Sequence, residues 1–361
     1  MRVLNESDLE HILLGCTVLG TGGGGELKKG LERVKTDLKN GKEFRLASLN
    51  EVPDNAMVAS PYYCGSLTAS NLQEQAQTPQ ELLSFIALQQ YLREDLFAAV
   101  STELGGGNTA VALSVAANMG IPLVDGDPAG RSVPELQHTT FFLKGVSIVP
   151  LGVATQSGDV VIVKEVANHI RAEKLVRSIA VASGGTVGVT DHPMRGNVLK
   201  SAVIAGAISH AETIGAVLKT TSDYEKVAEA GGGCVLFKGA VAKSLWKEDG
   251  GFTVGEIHLT GAHEYLGSVY KVWYKNEHLM AWRDNQIDVT TPDLICILSE
   301  KDAMPITNPH CTTGMKIAVI GYPASEVWRT KVGLAAMGPR SFGFDCDYLS
   351  LDEKIQTAQT S

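Results

Sequence analysis

The stretch Gly105-Gly106-Gly107-Asn108-Thr109 constrains this chain more than any other, because an apolar helix and a buried strand come directly after it. Residues 110–119 (AVALSVAANM) have the composition of a buried helix, which Gly120 and Pro122 must end. Asn108 or Thr109 is placed to cap it. Residues 121–124 then read as a short buried strand, and Asp125-Gly126-Asp127-Pro128-Ala129-Gly130-Arg131 as the loop at its end. A glycine loop that opens a helix and returns to a buried strand is the unit of an open α/β sheet. Ligands bind such sheets beyond the carboxyl ends of the strands, near helix N-termini. The segment thus brings backbone amides and two carboxylates to one end of a sheet.

Of the 361 residues, 44% are hydrophobic and 20% charged, the balance of a folded chain long enough for two domains. The formal net charge is −9 and no block of Lys and Arg stands out, which argues against nucleic acid as a partner. The N-terminal MRVLNESDLEHILL places acids before any apolar run, unlike a signal peptide, and no apolar stretch approaches a membrane span. A cytoplasmic protein without membrane contact is expected. The six cysteines (Cys16, Cys64, Cys234, Cys296, Cys311 and Cys346) are scattered without a CxxC pair. That spacing suits free thiols and neither a disulfide framework nor structural zinc.

Along the chain, Ser7-Asp8-Leu9-Glu10 has the form of a capping box before a helix that ends near Gly20-Thr21-Gly22-Gly23-Gly24-Gly25. A second helix begins at Glu26. Residues 57–60 read as a strand with residues 61–66 as its loop, and residues 80–100 carry helical periodicity. From Phe141 the period becomes that of strands. Asn168 then caps a helix to about Ser183, and a long helix is expected over 196–219. The remainder reads as short, evenly spaced strands, the pattern of a barrel or sandwich. The expected fold is an α/β N-terminal domain over 1–165, layered and with Gly-rich loops at helix N-termini. An α+β C-terminal domain with a β barrel or sandwich is expected over 166–361, its last segment packing back on the first.

Several groups in these loops suit chemistry. The run Thr21, Gly22, Gly23, Gly24 and Gly25 can present successive amides to an anion, and so can Gly106, Gly107 and Asn108. Asp125, Asp127, Arg131 and Glu135 place four ionisable groups within eleven positions after a buried strand. One aspartate would act as general base, with Glu135 sharing acid–base work. Arg131 would grip a substrate carboxylate. A divalent ion at Asp125/Asp127 is the one metal reading, and the sequence assigns no other cofactor. Cys64 reads either as a nucleophile or as an inert buried thiol, with Gly65 and Ser66 beside it. Gln137 completes the substrate-binding set. His258, His263 and Glu264 lack the HExxH spacing and read as structural or solvated.

The same motifs, with Pro134-Glu135-Leu136-Gln137, Asn276-Glu277, Pro292-Asp293-Leu294-Ile295, Trp328-Arg329 and Gly338-Pro339-Arg340, resemble the S-methyl thiohydantoin desulfurase domain family over nearly the whole chain. The resemblance implies a small cyclic amide or thioamide of the hydantoin type as substrate, and hydrolytic loss of sulfur as the reaction. Water activated by Asp125 or Asp127 would attack the C–S carbon, while glycine-loop amides stabilise the anionic intermediate. A hydantoinase-like partner is implied with it, and a homo-oligomer is expected. Two other classes stay open. One is a nucleotide- and magnesium-dependent enzyme using both glycine loops for phosphates; the other is a non-catalytic subunit of a hydantoinase-like complex.

Overall fold

The computed structural model describes residues 1–65 and 76–360. Among them, one mixed sheet holds eight strands: β1 (Arg2–Leu4), β2 (Phe44–Ala47), β3 (Met57–Gly65), β4 (Leu96–Ala99), β5 (Leu123–Val124), β6 (Leu151–Ala154), β7 (Val160–Val163) and β8 (Thr186–Arg195). Their order is β1-β2-β5-β4-β3-β8-β6-β7. The β2-β5-β4-β3 part is parallel. It alternates along the chain with α1 (Glu6–Leu19), α2 (Leu27–Lys39), α3 (Gln80–Leu92) and α4 (Asn108–Met119), as the glycine-loop pattern requires. Strand β8 lies after residue 165 and yet sits between β3 and β6, so this sheet draws on chain beyond that point.

Two further helices, α5 (His169–Ala182) and α6 (Ala207–Thr220), precede a seven-stranded antiparallel sheet. Its strands are β9 (Cys234–Asp249), β10 (Phe252–Gly261), β11 (Val269–Lys275), β12 (Glu277–Arg283), β13 (Gln286–Thr290), β14 (Leu294–Ser299) and β15 (Lys316–Tyr322), in the order β13-β12-β11-β10-β9-β15-β14. The sheet curls into a half-barrel; it is neither a closed barrel nor a two-sheet sandwich. One core joins the two sheets. Leu13 and Cys16 of α1 and Ile208 and Ile214 of α6 pack in the same cluster as Leu279, Cys296 and Ile320 of the second sheet. This explains why α1 is apolar nearly all round: a helix between two sheets has no solvent face.

Local departures from the sequence pattern have physical causes. Helix α1 is capped by Asn5, not Ser7: the Asn5 side chain accepts from Asp8 N, and the Asp8 carboxylate accepts from Asn5 N. Strand β3 runs on through Pro61 to Gly65 because β8 pairs with it residue by residue over that length. The helix expected over 196–219 is broken into Gly196–Ala202 and α6, with Gly206 at φ +72 before the second piece. The strand expected at Phe141 begins as a short helix, Thr140–Leu143, capped by Thr139.

Candidate active site

A cavity of about 400 Å³ opens at the carboxyl ends of β3 and β4, between the two sheets. From the N-terminal half it is lined by Gly22 to Gly25, Tyr62 to Gly65, Glu103, Gly107 and Asn108, and the loop 133–136. From the C-terminal half it is lined by Trp246, Asn276, Glu277 and Asn308. Ser66 lies outside the described residues.

The two glycine loops meet backbone to backbone. Gly24 O accepts from Gly107 N (2.9 Å) and Asn108 N (3.0 Å). A Cβ on Gly24, where φ is +74, would lie 2.5 Å from the Gly105 Cα. The amides of Gly107 and Asn108, expected to face an anion, are therefore consumed by the other loop. Those of Gly24 and Gly25 have no hydrogen-bond partner among the described residues and line the cavity beside the N-terminus of α2. Gly23 is required for another reason: a Cβ there would lie 1.9 Å from Glu277 Oε1. Asn108 is not the helix cap. Its side chain bridges the cavity floor, accepting from Tyr63 N (3.1 Å) and donating to Glu103 Oε1 (2.7 Å).

Several sequence-expected residues lie away from the cavity. Asp125 accepts from Ser209 N (3.0 Å) and Ser209 Oγ (2.6 Å), holding the first turn of α6. Asp127 is fully buried and accepts from Ala129 N (3.2 Å) and Gly130 N (2.8 Å). With their oxygens engaged by protein donors, this pair does not fit a divalent ion. Among the described residues no three His, Cys, Asp or Glu side chains are grouped to hold one. The acid–base work expected of Asp125 and Asp127 therefore has no geometric support. Arg131 is 1% exposed and faces no ligand. Its Nε donates to Ser132 O, its Nη1 to the carbonyls of Pro292 and Asp293, and its Nη2 to Thr21 Oγ1 and His278 O. Thr21 thus serves the junction between the halves and not a ligand. Gly106 lies against Thr17 and Leu27, and Gln137 donates to Glu135 Oε2 at 2.5 Å.

Burial raises the pKa of Asp127 to about 8, against the pull of its two amide donors. An acid raised above its unfolded value, about 3.9, contributes full stability below that value and loses it as pH rises toward the folded pKa. Asp127→Asn is expected to remove a part of the stability loss between about pH 5 and pH 8. Urea unfolding at the two pH values checks this; an unchanged difference between them would show that Asp127 does not titrate with folding.

The cavity contains carboxyl groups whose environments push them apart. Glu277 opens β12, is 3% exposed, and accepts from Ser132 Oγ at 3.2 Å through Oε1. Its Oε2 is buried with no hydrogen-bond partner. Burial and then the neighbouring Glu103 charge push its pKa well above the usual carboxylate range, against the pull of the buried Arg131 charge. Glu103, accepting from Asn108 and from Val133 N (2.9 Å), is also raised by burial. Burial pushes Glu135 up as well, but the Lys275 hydrogen bond (2.7 Å) and nearby positive charges outweigh it, and its pKa is lowered. Lys275 and Glu277 flank Asn276 at the β11–β12 turn and pair across it. One hairpin therefore places the cation that lowers the pKa of Glu135 beside the acid whose pKa is raised. Cys64 lines the cavity, but burial pushes its thiol up to about 12. It is a thiol and not a thiolate at neutral pH, without the activation a nucleophile needs.

Glu103, Glu277 and the tyrosine pair are the residues that sequence reasoning did not assign to the site. Glu103 carried a signal, standing two positions before the glycine run. Glu277 carried one as well, an acid at the head of the apolar strand segment HLMAWR.

Fold and cavity define a two-domain α/β protein with a cavity walled by both halves. The chain belongs to the S-Me-THD-like family: residues 7–165 match its N-terminal domain and residues 167–351 its C-terminal domain. It is similar to a protein from Chromobacterium violaceum whose X-ray crystal structure covers 98% of this chain and 100% of that one, at 25% identity and a TM-score of 0.82. No functionally curated protein matches the sequence. No helix among the described residues is long and apolar enough to cross a membrane.

Proposed function

We propose that the cavity takes a five-membered cyclic thioamide or S-alkyl thioimidate of the thiohydantoin type and that the protein hydrolyses its carbon–sulfur bond. The observation that carries this reading is that one enclosed site holds two carboxyl groups in opposite surroundings: Glu277, buried with Oε2 unpartnered among the described residues, and Glu135, hydrogen-bonded to Lys275. Two titratable groups driven apart by their surroundings are the mark of acid–base catalysis. Family membership supports the substrate class, and a cavity of about 400 Å³ suits a small ring with a side chain.

In this mechanism Glu135 takes a proton from water as its oxygen attacks the carbon bearing sulfur. In the S-alkyl thioimidate Glu277 gives its proton to the ring nitrogen, which receives the C=N electron pair, and the Gly24 and Gly25 amides face the charge that develops on the departing sulfur. The intermediate collapses, Glu277 recovers a proton from the new hydroxyl as the carbonyl forms, and sulfur departs with the electron pair of the broken bond and one proton, which balances the one that Glu135 took from water. The ring product is a cyclic amide, the kind of compound that a ring-opening amidohydrolase consumes.

The test is incubation of the purified protein with an S-methyl thiohydantoin, following methanethiol and the hydantoin together by chromatography. Equimolar appearance of both supports the reading. Absence of both, with no calorimetric binding of the thiohydantoin, overturns it.

A further inference from the structure

Behind the tyrosine wall of the cavity runs a line of side chains that the acid–base pair leaves unused. Tyr62 lines the cavity, and its hydroxyl donates to Asp191 Oδ2 at 2.7 Å. The other Asp191 oxygen accepts from His192 Nδ1 at 2.7 Å. His192 Nε2 faces His169 Nε2 at 3.2 Å. Tyr62, Asp191 and His192 are buried, whereas His169, the first residue of α5, is partly exposed. The line runs from cavity wall toward solvent with every step at hydrogen-bond distance.

Its construction is costly. The β3–β8 register breaks between Val58 and Ser60, and His192 sits at that irregularity with φ +47. A non-glycine residue held in the left-handed region is strained and persists where its surroundings over-determine it. A bulge re-aims a side chain, and here the imidazole meets His169 between the rings of Phe141 (4.9 Å) and Phe142, which packs on His169 at 5.1 Å. The bond to Asp191 assigns the hydrogen of His192 to Nδ1, so Nε2 accepts and His169 Nε2 donates. Every donor on the solvent side points inward.

We propose that His169, His192, Asp191 and Tyr62 form a proton path from solvent to the cavity, with Tyr62 giving the proton that leaves on sulfur. The proposal rests on the hydrolysis above. As the carbon–sulfur bond breaks, its electron pair stays on sulfur; the Tyr62 hydroxyl turns from Asp191 to sulfur and its hydrogen moves there. Tyr62 is refilled from Asp191, Asp191 from His192 Nδ1, His192 Nε2 from His169, and His169 from solvent. The water proton taken by Glu135, which is partly exposed, returns to solvent, so one proton enters and one leaves. Cys64 and Glu173 are the other titratable groups acting on Tyr62, and Asp191 and His192 those acting on His169. Burial and then His192 push His169 down to about 4, so a proton passes through it without resting there.

Two variants of the full chain test the path. In dilute buffer His169→Ala is expected to slow thiol release by roughly tenfold or more, with recovery on adding imidazole and an unchanged melting temperature. Tyr62→Phe is expected to slow it by about 100-fold without recovery. Wild-type rates in His169→Ala, or a loss that imidazole does not restore, overturn the proposal. Nitrogen-15 NMR of the histidine rings reads the path without any turnover. Tyr62→Phe removes a donor that screens the Asp191 charge, and that charge raises His169, so the titration midpoint of His169 should rise. An unchanged midpoint overturns the path even in a protein that hydrolyses thiohydantoins. A raised midpoint in a protein that releases no thiol upholds the path and removes only the hydrolysis reading.

Discussion

Glu277→Gln should abolish most turnover while leaving the protein folded. Glutamine keeps the shape and the acceptor that Ser132 uses, but it has no acidic proton to give the ring nitrogen. Loss of a general acid costs about 10²–10⁴-fold in kcat. Stability should suffer far less than turnover, because burial already favours the uncharged carboxyl that glutamine mimics. That combination is diagnostic. If Glu277 were instead the ionised partner of the buried Arg131 charge, its neutral isostere would leave that charge uncompensated and the variant would unfold early. The wild-type pH profile carries the same signature. Activity should fall at acid pH as Glu135, whose pKa is lowered, takes a proton, and at alkaline pH as Glu277, whose pKa is raised, loses one. Steady-state thiol release paired with a melting curve decides the matter. A variant keeping more than a tenth of wild-type kcat would remove Glu277 from the chemistry.

Arg131→Met should fail in the opposite way, losing the fold and not the ligand. The guanidinium is 1% exposed and its N–H groups are engaged by four carbonyls and one hydroxyl from both halves of the chain. Methionine fills much of the volume but leaves those acceptors buried and unpaired, at about 1–3 kcal/mol each. The sum approaches the whole stability of a typical domain, about 5–15 kcal/mol. Arg131→Lys retains the charge without the planar fork and should be intermediate. The folded fraction of the lysine variant should show wild-type KM, since the side chain does not reach the cavity. Denaturant unfolding and Michaelis–Menten kinetics on that variant separate the possibilities. A raised KM with undiminished stability would return Arg131 to substrate binding.

Much of the architecture was legible in the chain. The glycine loop, helix and strand from 105 to 124 belong to the parallel part of the first sheet, and the run of short strands after 233 forms the second, while Gly126–Asp127 of the expected loop pairs antiparallel with Ile204–Ala205. Asn168 was legible as a cap because its signal is local: its side chain accepts from Arg171 N, three residues away. Where a partner came from elsewhere, local pattern failed. Residues 61–65 look like a loop by composition and are strand because β8 pairs with them.

The site divides along the same line. The sequence by itself determined that glycine loops and a cluster of ionisable groups gather where strands end, because periodicity and turn chemistry act over a few residues. It did not determine which of those groups face a ligand. Asp125 and Asp127 sit at the end of the predicted strand, but nearby backbone amides and Ser209 satisfy them, and Arg131 is claimed by carbonyls of the other half. Glu277 is 145 positions from the Ser132 hydroxyl that it accepts from. Its raised pKa, and an Oε2 left unpartnered among the described residues, exist only because the fold buries it against Gly23 and near Glu103. Charge state and accessibility are properties of surroundings, and those surroundings are assembled from distant segments only when the two sheets close on α1 and α6.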